Sequence, residues 1–172
     1  MEMLGFDNAQ LNTTFRDIAM RATIAAANAG RLPQLASAHL LTKKGEVVHY
    51  EDGANLMKEV VLREFRAGYS GFSFPLGHGV RFRTGGARGH SVVVGTKLEV
   101  ADNGYLTVTS QRVVFAGARK SIEIPFAKLL SVDVFSDGIA LHAANRQNTP
   151  LFQLEQGAGE VVAALINAAH QQ

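Results

Sequence analysis

Apolar residues recur at three- and four-residue spacing near the start of the chain and at its end, and alternate with polar ones over much of the stretch between. The first such set is Phe15, Ile18, Ala19, Ala22, Ala25 and Ala29, a spacing that predicts a helix. Thr14 and Asp17 fit a capping-box-like start, and Gly30 with Pro33 supplies a stop. This face is mostly alanine and buries little area per residue, so the helix reads as an appendage rather than part of the core. Lys43-Lys44-Gly45 then marks a turn, and Glu46 to Tyr50 reads as a short β-like run. Leu56, Met57, Val60, Val61 and Phe65 return to helical spacing and predict a second amphipathic helix, ended by Gly68.

From Tyr69 onward glycines punctuate aromatic and β-branched residues, and the period changes to two. Val80 and Phe82 alternate with Arg81 and Arg83, and the same alternation runs from Val92 to Val100. Asp102-Asn103-Gly104 predicts a hairpin turn, because Asn and Gly tolerate the positive φ angles tight hairpins need. Leu106 and Val108 lead through a Ser110-Gln111 turn to Val113 and Phe115. Ile122, Ile124 and Phe126 follow, then Leu130, Val132 and Val134. Ile139 and Leu141 come after a Ser136-Asp137-Gly138 turn, with Phe152 and Leu154 beyond. From Gly159, the set Val161, Val162, Leu165, Ile166 and Ala169 gives a helix with a broad apolar stripe. Short strands followed by one amphipathic helix predict a mainly β fold, α+β overall. The architecture expected is a strongly bent antiparallel sheet or partly open barrel, with the C-terminal helix covering one open end. The division expected is a helical and connecting segment over 1–68 and a β-domain over 69–172.

Composition narrows the class. A chain of 172 residues that is 47% hydrophobic and 19% charged has the make-up of a globular protein with one main core. It contains no cysteine, which excludes disulfides and thiolate zinc sites and makes the cytoplasm the expected location. No apolar run approaches the ~20 residues of a membrane-spanning helix, and the N-terminus lacks a basic start followed by an apolar stretch, so neither a span nor a signal peptide is expected. Charge is unevenly placed. Residues 1–77 carry eight basic and eight acidic side chains, residues 78–120 seven and two, and residues 121–172 two and five. A net +5 over the middle 43 residues can attract phosphate or an anionic lipid surface, or can serve to solubilise strand edges.

The densest part of that basic stretch is Arg81-Phe82-Arg83-Thr84-Gly85-Gly86-Ala87-Arg88-Gly89-His90. Three guanidiniums on neighbouring strands, with glycine N–H groups close by, suit an anion; the plainer alternative is a solvated hairpin. Neither a P-loop nor a dinucleotide-binding glycine pattern is present. The six histidines include no pair at metal-ligand spacing, and no Ser, Asp or Glu sits in a recognisable catalytic arrangement. No cofactor, no metal and no enzymatic activity are expected.

The run Gly104-Tyr-Leu-Thr-Val-Thr-Ser-Gln-Arg-Val-Val-Phe-Ala-Gly117 resembles the hairpin pattern of bacterial pleckstrin-homology-like and GRAM-like domains, with Leu106, Val108, Val113 and Phe115 pointing inward. Strand count and terminal helix extend the likeness loosely from about Gly79 to Gln172. The resemblance implies a binding or scaffold module, whose partner is another protein or a second copy. It also offers an alternative, an anionic ligand or lipid headgroup held on the basic surface of residues 81–120. For that alternative the candidate residues are Arg81, Arg83, Arg88 and His90, which lie where phosphoinositide-binding relatives carry basic residues, together with Arg112. Here no lysine opens the motif and glycines fill the loop. Arg112 also has a structural alternative, pairing with a turn or a carboxylate such as Asp102. An enzyme on a small substrate ranks third. Nucleic acid is not an expected partner, because exposed aromatics are not interleaved with the basic residues.

Overall fold

The computed structural model describes residues 8–69, 72–76, 80–84, 87–144 and 146–172, with the side chains of all of these except residue 8 and residues 63–94. Helix α1 (Asn8–Asn28) comes first. The strands are β1 (Val48–Tyr69), β2 (Phe72–Leu76), β3 (Val80–Thr84), β4 (Ala87–Thr109), β5 (Arg112–Gly117), β6 (Ser121–Pro125), β7 (Leu129–Phe135), β8 (Gly138–Ala143) and β9 (Leu151–Gln153). Helix α2 (Ala158–His170) follows them. The fold is mainly β and α+β overall. By internal contacts it forms two compact units, Met1–Lys58 with Val100–Gln172, and Glu59–Glu99.

In the first unit the strands build a seven-stranded antiparallel open sheet in the order β6-β5-β4-β1-β9-β8-β7. Two meanders, β4-β5-β6 and β7-β8-β9, flank β1. The fourteen-residue run that carries the family resemblance is the β4–β5 hairpin, with Gly104 opposite Gly117, Leu106 opposite Phe115 and Val108 opposite Val113. These four large side chains are buried, and the Phe115 and Phe152 rings meet at 5.2 Å with a 41° tilt. Helix α2 covers that core. Val161, Val162, Leu165, Ile166 and Ala169, the stripe expected from the sequence, are all buried. In the second unit β2 pairs antiparallel with β3, Phe72 opposite Thr84 and Leu76 opposite Val80.

Three expectations are corrected. The second helix, expected over Leu56 to Phe65, is part of strand β1. Within the described side chains Ala54 and Leu56 are buried, and Leu56 lies opposite Phe152 of β9, so a two-residue alternation that also fits these positions wins through pairing. Asp102-Asn103-Gly104 does not turn the chain but lies inside β4. Gly104 is needed there for close approach: a Cβ on it would stand 2.2 Å from the Ala116 carbonyl oxygen. Asp102 meanwhile caps the far end of the hairpin, its Oδ2 accepting the N–H groups of Arg119 and Lys120 at 2.8 and 2.7 Å. Finally, Thr14 and Asp17 are interior to α1, where the Thr14 hydroxyl donates back to the Gln10 carbonyl at 2.9 Å.

Helix α1 packs against α2 and the core through Met20, Ile24 and the fully buried Ala27. An ion pair between Arg16 and Glu155 ties it to the turn ahead of α2. The chain then crosses back over the sheet as a strap. The His49 ring nitrogen Nδ1 lies 2.6 Å from the Pro33 carbonyl oxygen, and the Leu35 N–H donates to Val48 O at 2.8 Å.

Candidate functional site

Each residue named for an anion site has a definite place in the chain. Arg81 and Arg83 belong to β3, Arg88 and His90 to β4, and their side chains lie outside the described residues. Arg112, at the start of β5, is 6% exposed and turns inward. Its Nε and Nη2 donate to both oxygens of Glu46, at 2.7 and 2.9 Å, and Nη1 meets Glu123 Oε2 at 2.9 Å. Nη2 also reaches the Leu41 carbonyl at 3.3 Å. With these donors occupied by protein acceptors, Arg112 follows the structural alternative; its carboxylate partners are Glu46 and Glu123, not Asp102.

Glu46 is the centre of this network. The Lys43 N–H donates to Oε2 at 2.6 Å, and the Thr109 hydroxyl to Oε1 at 2.7 Å. Burial pushes its carboxyl up, but the hydrogen bonds from Arg112, Lys43 and Thr109 outweigh this and bring it from the ordinary 4.5 to about 2. Glu123 joins Lys43 Nζ at 2.8 Å, so the Lys43–Glu46 turn is bolted to β5 and β6 by four alternating charges. Elsewhere on the basic stretch Lys97 pairs with Glu99 at 2.6 Å, while Arg119 and Lys120 stay exposed at a turn.

A cleft of about 600 Å³ opens beside β1, β4 and β9. Its floor is a ladder of amides: Asn103 Nδ2 donates to Asn55 Oδ1 at 2.6 Å, and Asn55 Nδ2 to Gln153 Oε1 at 3.2 Å. Tyr105 stands on its wall, its ring stacked 3.5 Å from that of His39. Such a floor can donate to and accept from a neutral polar group. Among the described residues the one charged side chain lining it, Glu155, is paired with Arg16. In the sequence Asn55 stands just ahead of the expected second helix, 48 and 98 positions from Asn103 and Gln153, separations that no local spacing encodes.

One arrangement has the connectivity of a hydrolytic relay. Asp133 Oδ2 lies 2.7 Å from His142 Nε2, and Thr149 Oγ1 is 3.2 Å from His142 Nδ1. The His142 and Asp133 side chains are 38% and 57% exposed, so water reaches both and nothing there desolvates a nucleophile. Among the described residues no group of three His, Asp or Glu side chains is placed to hold a metal ion.

Helix α1 carries a row of exposed apolar side chains. Phe15 and Ile18 are 67% and 58% exposed, and Leu11 is 37% exposed. They share one side of the helix with the exposed Ala22, Ala25 and Ala29, opposite to the side that holds Met20, Ile24 and Ala27. The residues whose spacing announced the helix thus form its outer face, and the inner face was not singled out. A helix apolar on both sides is the pattern of one packed on both sides.

No family model matches the chain, and neither does any curated protein or solved structure. Among the described residues no helix is long and apolar enough to cross a membrane.

Proposed function

We propose that this protein is a non-catalytic interaction module of the pleckstrin-homology-like or GRAM-like kind, and that it binds another protein through the outer face of α1. The observation that carries the reading is the exposure of Phe15 and Ile18 on a helix whose opposite side is already packed. Exposed large apolar side chains aligned along one face mark interaction surfaces more often than scattered ones do. The resemblance of the β4–β5 hairpin, the sheet of two meanders and the covering helix support the class. A cytoplasmic setting belongs to the same proposal, since a cysteine-free chain draws nothing from an oxidising compartment.

The competing reading, an anionic ligand on the basic surface, loses Arg112 to the buried network. Salt separates the two. Capture of a partner from the source cells should persist to roughly 0.5 M salt, where charges are screened beyond a few ångströms, and should disappear for Phe15→Asp/Ile18→Asp. Wild-type binding to anionic vesicles at low salt, unchanged in that variant, would favour the anionic ligand instead.

A further inference from the structure

Resting on the reading of α1 as a docking face, we infer that its partner is a second copy of the same helix, laid antiparallel across a two-fold axis near position 19. Two independent features of the helix agree on that axis. Large side chains, Leu11, Phe15 and Ile18, occupy the first half of the outer stripe, and alanines 22, 25 and 29 the second half. In an antiparallel pair centred at position 19, Leu11 of one copy faces the gap between Ala25 and Ala29 of the other. Phe15 faces the gap between Ala22 and Ala25, and the two Ile18 side chains meet beside the axis. Bulk is set against space in both directions, as an isologous interface requires.

The second feature is charge. Arg21 lies on one flank of the stripe and Asp17 one turn earlier, further round on the same side towards Ile24; both are exposed, and among the described residues neither takes an ion-pair partner. In an antiparallel pair each flank meets its own counterpart. The same axis therefore sets Asp17 of each copy opposite Arg21 of the other, giving two symmetry-related salt bridges. A parallel pair would instead set each flank against the opposite one, removing both bridges, and would lay bulk against bulk. A helix of 21 residues offers a contact about 30 Å long, so the interface is at the small end of specific ones and should be populated at micromolar concentration.

The test is sedimentation of the full chain between about 1 and 200 μM, a span chosen around that affinity range. Wild type should pass from monomer to dimer. Asp17→Arg or Arg21→Asp alone should weaken dimerisation by about tenfold or more through facing like charges, while the double exchange Asp17→Arg/Arg21→Asp should restore it. An equimolar mixture of the two single variants should form the mixed dimer in preference to either self-pair. Circular dichroism and melting of each variant check that the fold is intact. A wild type that stays monomeric at the highest concentration overturns the inference, as does a dimer indifferent to all four combinations. If a monomeric wild type still captures a partner that Phe15→Asp loses, the docking reading stands with a different occupant. If Phe15→Asp loses nothing, both readings fall.

Discussion

Glu46 and Arg112 show how a single residue can be legible as important and still be misassigned. The hairpin pattern marks Arg112, but its main partner lies 66 positions earlier, in the turn before β1, a separation that no local spacing encodes. Removing either member leaves a buried charge without its partner, and Arg112→Ala should lower stability by about 3–5 kcal/mol in chemical denaturation. The pair also predicts an acid response. The folded carboxyl of Glu46 titrates below its unfolded value, so its contribution is complete above about pH 4.5 and lost as pH falls toward 2. By linkage it amounts to about 3 kcal/mol at neutral pH. Wild type should therefore lose more stability than Glu46→Gln over that window; equal losses would show that Glu46 is not the titrating group. Gly104 carries the opposite lesson. Asn-Gly reads as a turn, yet the glycine lets β5 approach, so Gly104→Ala should destabilise by about 1–3 kcal/mol through crowding, read as a lower melting temperature.

Elements were legible where one period dominated. Strands β5, β6, β8 and β9 and helix α2 follow from alternation and from the Val161–Ala169 stripe; β7 follows too, but its expected apolar set is not a buried face, since Leu130 and Val134 are exposed. The stretch around Leu56 satisfied two periods at once, and only its pairing with β9 decided between them. Helix α1 was legible as an element but not by face, since both of its sides are apolar. Leu165 lies at the centre of the α2 cover and is fully buried, so Leu165→Ala should cost about 2–5 kcal/mol. The two faces of α1 should behave oppositely. Ile24→Asp places a charge against the core and should lower the melting temperature by several degrees. Phe15→Asp should change stability by no more than about 0.5 kcal/mol, as exposed substitutions do, while removing association. If both lowered stability alike, the outer face would be part of the folded core.

For the whole molecule the sequence conveyed class better than role. A cysteine-free, moderately charged chain with many short strands defined a mainly β fold, and the open seven-stranded sheet with its covering helix matches that expectation. Its net positive middle third suggested an anion partner. One of those charges is buried in an ion-pair network, a use not visible without tertiary contacts, and another is paired on the surface with a residue two positions along its own strand. The proposed function rests on one apolar surface that the fold leaves uncovered, the outer side of α1. The direct measurement is photo-crosslinking in the source cells, with a photoreactive residue placed singly at position 15, at position 18, or at the exposed control position 146. The account predicts one defined product from positions 15 and 18, and none from position 146. Crosslinks absent at 15 and 18, or equal at all three positions, would contradict it.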